Sequence, residues 1–465
     1  MGHHHITEVK EEKFEFTSRS RMFVGLVFIV GLILTFVGFS KMKSTNEHGN
    51  KHAKVEHVEQ NVIHAVANQE GNGEQHGAEH SAAAGNEANR EGGEHAGGHH
   101  ETWKMRFWAN LLLNSYYFML FALAAVFFIA VNYAANAGWS TLLKRVIESI
   151  SSYLPVAIVI LMIVVFMGKD YIYHHWWPKI GLKPGDAGYD ALIEKKSWFL
   201  SKGWLMVGAP VIMIIWVLFR TILVRFSHKE DVEGGTSFFR KSVNVSAGFL
   251  VFFAFTFSIL SWILIMSIDA HWYSTIFSVY NFAIAFVTGL TVICFFTLYL
   301  KSKGYMEIVS DEVIHDLGKF MFAFSIFWAY IWLAQFLLIW YANISEEGIY
   351  YTFRLEHFKP MFRVNILMNF FLPFLILMMR NAKRNPKVLL VAGTIILFGH
   401  WLDLFLMIMP GVVGETAHIG LLEIGMTMAF AGLFIYWVLH NLSRKNLYAA
   451  NHPYLLESAN HDVGV

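Results

Sequence analysis

VLLVAGTIILFGHWLDLFLMIM, residues 388–409, is a run of 22 residues without Lys or Arg, in which the titratable side chains are His400 and Asp403. About 20 mostly apolar residues in helical form match the hydrocarbon thickness of a bilayer, so this segment reads as a membrane span. His400 and Asp403 stand three apart and share one helical face. Ionisable groups are costly in hydrocarbon, and such a face belongs against other helices.

Nine further stretches have the same character: 22–39, 108–134, 147–168, 204–224, 243–267, 276–300, 320–342, 363–380 and 418–439. The expected fold class is therefore all-α integral membrane, with ten transmembrane helices counting 388–409. Composition agrees, with 55% hydrophobic and 15% charged residues in a chain of 465, where a soluble domain carries roughly 25% charged residues. The first stretch is flanked by Arg19, Arg21, Lys41 and Lys43 and lacks a small-residue cleavage site, so it reads as a retained anchor. The run His3–His5 is short for a purification tag and says nothing of the fold.

The formal net charge of +1 gives no pull toward nucleic acid. Cys294 is the one cysteine, so the chain supplies no disulfide, no cysteine-ligated iron–sulfur cluster and no Cys-x-x-Cys-His haem attachment. No nucleotide loop, hydrolase triad or zincin signature is present, and the chain reads as not catalytic alone.

Short-loop Lys and Arg set orientation. Lys144, Arg145, Arg225, Arg240, Lys301, Lys303, Arg380, Lys383, Arg384, Lys387, Arg444 and Lys445 all fall on the side of the N-terminus, whereas the connections 268–275 and 410–417 carry none. Both termini are expected to be cytoplasmic. The loop 169–203 holds six lysines on the outer side, but long loops weigh little in this rule. The outer loop 44–102 has ten Glu, nine His, nine Gly and three basic residues. It reads as an acidic tether against a neighbouring subunit in preference to a metal buffer built on histidines such as His99 and His100.

Counting rises along the helices places Asp403, Glu423, Asp269 and His271 at one outer level, with His418 five residues before Glu423. Across the seventh span, His315, Asp316 and Lys319 mark the inner mouth, Tyr330 and Gln335 lie along the length, and Tyr341, Asn343, Glu346 and Glu347 close the outer end. Protonatable groups at several depths are what a proton relay requires. A bland reading stands beside each. His400 with Asp403 equally suits a hydrogen-bonded helix tie, Lys319 and Arg220 suit snorkelling, Glu346 and Glu347 suit a solvated loop, and Trp328 with Trp332 suits packing. Haem ligation by His271, His400 and His418 ranks below hydrogen bonding, because each has a carboxylate nearby.

Longer strings carry a resemblance: MSIDAHWYSTIF (266–277), YLKSKGY (299–305), HDLGKFMF (315–322), IWYANISEE (339–347), GHWLD (399–403) and MIMPG (407–411). In this order they resemble the second large membrane subunit of bacterial alternative complex III, a quinol:electron-acceptor oxidoreductase. The large membrane subunits of that complex are similar to the membrane subunit of polysulfide reductase. The resemblance covers most of the chain from about Trp103 onward.

It implies two four-helix bundles, spans 2–5 and 6–9, flanked by spans 1 and 10, dividing the chain at 1–43, 44–106, 107–268, 269–410 and 411–465. It implies residence in the bacterial cytoplasmic membrane with the loop 44–106 periplasmic. The implied partners are a sister membrane subunit, multihaem and monohaem cytochrome c subunits, an iron–sulfur subunit, a terminal oxidase and bound lipids. Haem c and iron–sulfur clusters would sit in those partners, and this chain would hold no metal of its own. The expected function is structural support with a proton-transfer path through His315, Asp316, Lys319, Tyr330, Gln335, His400, Asp403, His418, Glu423, Asp269 and His271. Two alternatives stay open. One is a quinone pocket formed by Asp269, His271, Trp272 and Tyr280, and the other is a stand-alone secondary transporter, for which Pro210 and Pro373 inside spans four and eight are the pointer.

Overall fold

The computed structural model describes residues 8–43 and 102–461, and the backbone alone of Ser345 and Glu346. The loop 44–101, with its tether and metal-buffer readings, lies outside the described residues. Among the described residues, ten helices are long and apolar enough to cross a membrane. They are α1 (Ser18–Lys43), α2 (Thr102–Ala134), α3 (Thr141–Ile172), α4 (Trp204–Glu233), α5 (Ser237–Leu264), α6 (Phe277–Ser302), α7 (Asp311–Ala342), α8 (Lys359–Leu377), α9 (Pro386–Thr416) and α10 (Leu421–Leu442). Most extend beyond the apolar stretch that announces them, because a helix keeps its backbone bonded through the interface as well as the hydrocarbon. Among the described residues there is no strand, and one isolated bridge joins Lys13 to Asn446. The fold is the expected all-α membrane architecture.

α2 and α6 are the most enclosed helices. α2 packs on α3 and α5, and α4 on α5. The second set repeats this, with α6 on α7 and α9, and α8 on α9. The α2–α6 contact joins the two halves, and α10 lies against α2. A π-helical turn, Trp204–Gly208, opens α4 just before Pro210, and another, Leu367–Phe371, interrupts α8 just before Pro373. Both stand in the third helix of their bundle, a repeat the sequence alone does not show. Four helices return the chain to its starting end, so the halves run in the same sense.

α1 is held to α10 by a seam of glycines seven apart. A Cβ at Gly31 would lie 2.4 Å from Ala429 N and at Gly38 2.5 Å from Leu422 N; at Gly425 it would lie 2.4 Å from Thr35 N and at Gly432 2.8 Å from Phe28 N. Side chains at these points would hold the backbones apart. Large apolar side chains along α4, α5, α7 and α8, such as Ile214, Phe255, Leu337 and Leu375, are exposed, as lipid-facing surfaces require.

The bundle has two chemically distinct ends. At the terminal end, the tail 443–461 folds back over the helices. Leu447 N–H donates to Glu12 O at 2.7 Å, and Ser458 Oγ donates to Trp139 O at 2.7 Å. At the far end lie the turns 265–276 and 410–420 and a 13-residue helix, Ser345–His357, where the sequence suggested a loop.

Candidate functional site

Asp403 is the centre of a buried polar site inside the second bundle. Its carboxylate accepts from Tyr280 Oη of α6 at 2.5 Å, Trp328 Nε1 of α7 at 3.0 Å and Asn365 Nδ2 of α8 at 2.8 Å. Each helix of the bundle thus contributes one group. Asn369 Nδ2 donates to Asn365 Oδ1 at 2.6 Å, continuing the network one turn along α8 through the π-turn. That approach depends on Gly399, where a Cβ would sit 2.2 Å from Asn369 Oδ1.

His400 lies beside this network without joining it by a hydrogen bond. Its Nδ1 is 4.0 Å from Asp403 Oδ2, both ring nitrogens are buried without a partner, and Trp328 packs edge-on against its ring. The expected His400–Asp403 tie is therefore a proximity. Asn369 Oδ1 and Gln335 Oε1 are likewise buried and unpartnered. A polar interior with several unmet lone pairs suits ordered water.

Beyond Tyr280, aromatic rings pack toward the far surface, with Phe277 6.4 Å from Tyr280 and 5.6 Å from Trp272. The Tyr350 and Tyr351 rings are 5.2 Å apart, edge to face. Tyr350 carries the Arg354 guanidinium 3.5 Å over its ring. Arg354 donates to Asp269 Oδ2 at 2.8 Å and to the carbonyls of Leu406 and Met407. The Asp269 side chain is 27% exposed, so the Arg354–Asp269 pair reaches the surface.

The other expected members occupy separate places at the same end. Glu423 is paired with Arg106 at 2.7 Å, accepts from Asn110 Nδ2 at 2.9 Å and caps α10 through Gly420 N–H at 2.8 Å. His418 meets Arg106 through both ring and carbonyl. Asn114 continues the Arg106–Asn110 stripe and accepts from Trp401 Nε1 and Thr427 Oγ1. His271 is bonded to Asp190 at 2.7 Å. The hydrogen bond from His271, with the backbone N–H groups of Ile193 and Leu192, outweighs the effect of burial and holds Asp190 below the usual carboxylate range. Trp272 is stacked flat on Tyr350 at 4.0 Å. The four acidic and histidine groups expected to converge therefore form three sites: Asp403, Glu423 with Arg106, and Asp269 with Arg354, while His271 pairs at the surface.

At the terminal end, Asp316 bridges Lys319 at 2.5 Å and His461 of the tail at 2.8 Å, and buried His315 stands 3.6 Å from Glu312. Tyr330 is 66% exposed on the outside of α7, so an interior path cannot pass through it. Between Asp316 and Trp328, about 18 Å along α7, Ser325 is the buried polar side chain on that helix. Arg220 reaches Ser151 Oγ and Glu148 O in place of snorkelling freely.

A buried charge cluster stands at that end, built on Lys144 and Arg145, which the sequence presents as short-loop charges. Arg145 pairs with Glu148 at 2.5 Å and with Asp231, and Lys144 pairs with Glu230 at 3.3 Å. The tail covers it with His452, whose imidazole burial, aided by Lys144 and Arg145, pushes down to about 2. Of the partners that sequence reading passed over, Arg106, Asn110 and Asn114 were visible as a four-residue repeat, as were Asn365 and Asn369; Arg354 gave no signal. Among the described residues, no three His, Cys, Asp or Glu side chains are grouped to hold a metal. Set beside known proteins, the chain matches no family model and no curated protein.

Proposed function

We propose that this chain is a membrane subunit of a respiratory quinol-oxidising electron-transfer complex, in which it supports the assembly and carries protons through the second bundle. One observation carries the reading: Asp403, buried at the centre of that bundle, is bonded by one group from each neighbouring helix. Buried carboxylates among tyrosines and ordered water are suited to passing protons. The strings 266–277 and 399–403, which carry the resemblance to alternative complex III, contain Asp269 and Asp403. In this reading the far end is periplasmic, facing haem c and iron–sulfur partners, and quinol is oxidised to quinone in or beside the sister subunit. His315, Asp316 and Lys319 serve as an inner antechamber, joined to Asp403 only through water past Ser325.

Asp403→Asn in the intact complex is the test. Quinol turnover or proton yield per electron falls at least several-fold if the path runs through Asp403. Unchanged turnover and unchanged proton yield would overturn it. A second reading, a stand-alone transporter, is favoured by the paired π-turns before Pro210 and Pro373. Solute uptake by the isolated chain in liposomes would establish that reading instead.

A further inference from the structure

The first bundle presents outward a surface that the Asp403 reading does not use. Along α5, Lys241, Asn244, Gly248, Val251 and Phe255 recur at helical spacing and are exposed. Lys241 precedes the apolar stretch 243–267, so this face passes from the membrane surface into the hydrocarbon. Over its apolar part lies an open hollow of about 780 Å³, lined by Ala247, Gly248, Val251, Phe252, Phe255 and Thr256. Its floor is low at Gly248, where a Cβ would meet Phe219 Cε1 of α4 at 4.0 Å and nothing nearer. Thr256 adds no free polarity, since its Oγ1 donates to Phe252 O and accepts from Trp216 Nε1.

The rim of this face, at the terminal end, is positive. Arg225 and Lys229 of α4 and Arg240 and Lys241 of α5 are exposed on either side of the turn that joins the two helices. Of the acids in the same stretch, Glu230 is turned inward to Lys144 and Asp231 to Arg145, which leaves Glu233. Among the described residues, none of the four cations has a carboxylate within ion-pair distance. The acidic loop 44–101 joins α1 to α2 at the opposite end of the bundle, and the tail reaches Asp316 of the second bundle at His461. Lys229 Nζ and Lys241 Nζ stand 5.5 and 4.6 Å from the ring centre of buried Phe238, so they are at most about 10 Å apart. Like charges at that distance repel, and an anion between them relieves the repulsion. Orientation in the membrane needs positive charge at this end but no recess beneath it.

We infer that this face of α4 and α5 binds an anionic phospholipid, with its phosphate between Lys229, Arg240 and Lys241 and an acyl chain in the hollow over Gly248. Clusters of Lys and Arg directly beside a span attract anionic headgroups. Gly248 lies about 10 Å along α5 from Lys241, beyond a headgroup layer of about 5–8 Å, so the hollow opens at the depth of the chains. Exposed Asn244 supplies a neutral donor between the two levels. The site is independent of the Asp403 reading.

The test is native mass spectrometry of the full chain, delipidated in neutral detergent and titrated with phosphatidylglycerol, phosphatidylcholine or glycerol phosphate. Phosphatidylglycerol is expected to be retained better than phosphatidylcholine by about fivefold for each cation that meets the phosphate. Lys229→Gln/Lys241→Gln is expected to remove that preference, whereas Lys387→Gln, which discharges an exposed lysine of α9 at the same end, is expected to leave it intact. Gly248→Leu fills the hollow without touching a charge and is expected to weaken retention of both lipids, with helix content unchanged in circular dichroism. Equal retention of the two lipids, a preference lowered as much by Lys387→Gln as by the double change, or retention untouched by Gly248→Leu would overturn the inference. Glycerol phosphate retained as well as phosphatidylglycerol would overturn it in favour of a free-anion site. Anionic phospholipid absent from the protein as isolated from native membranes, yet bound by the delipidated chain, would overturn it in favour of another chain covering this face.

Discussion

Replacing Arg106 by Leu removes one partner of a pair that sits almost wholly inside the protein, with side-chain exposures of 7% for Arg106 and 0% for Glu423. Breaking a buried pair from one side costs about 3–5 kcal/mol, because the remaining charge is left uncompensated. Glu423 would keep Asn110 Nδ2 and Gly420 N–H, bonds to a charged acceptor that offset part of the loss. The expected cost is therefore at the lower end, about 3 kcal/mol. The double change Arg106→Leu with Glu423→Leu removes both charges, and its cost should be smaller than that of Arg106→Leu alone. Equilibrium unfolding of the purified chain in mixed micelles gives both values, and the single change should also raise hydrogen exchange at the start of α10. A double variant less stable than either single variant, by about the sum of the two, would refute the reasoning, since it would mean that neither charge is stranded by loss of the other.

Other consequences are as direct. Gly425→Leu should free α1 from α10, since even a Cβ there would lie 2.4 Å from Thr35 N; faster hydrogen exchange confined to α1 and α10 is the expected readout, and unchanged exchange there would contradict it. Trp328→Phe withdraws one of the donors to Asp403 and should cost about 1–3 kcal/mol, read as a lower unfolding midpoint with the helix content unchanged. His452 stays neutral when folded, near 2 against an ordinary 6.5. An unfolded tail takes up that proton below about pH 6.5, so stability is full above this pH and falls as pH drops, by about 2 kcal/mol at pH 5. His452→Phe should flatten that slope in thermal unfolding.

The spans were legible because hydrocarbon leaves a chain few choices: twenty apolar residues in a row must satisfy their backbone as a helix. Asp403 was legible for the converse reason, as a carboxylate where one is expensive. Its partners were not, since Tyr280, Trp328 and Asn365 come from different helices up to 123 residues away and look like packing in isolation. Tyr330 was misplaced because α7 is apolar all round and gives no phase to tell inside from outside. Arg106 was overlooked at the edge of its span, and Lys144 and Arg145 were counted only as orienting charges. The glycine seam was present as Gly31 with Gly38 and Gly425 with Gly432, but a spacing of seven acquires meaning only once α1 is seen against α10.

The most direct test of the central claim is to purify the chain from its native membrane in mild detergent, identify what accompanies it by mass spectrometry and record a reduced-minus-oxidised spectrum. The account predicts haem c absorbance and stoichiometric co-purification of a sister membrane subunit with multihaem cytochrome and iron–sulfur subunits. A colourless protein, purified alone from membranes that retain those subunits, would contradict it.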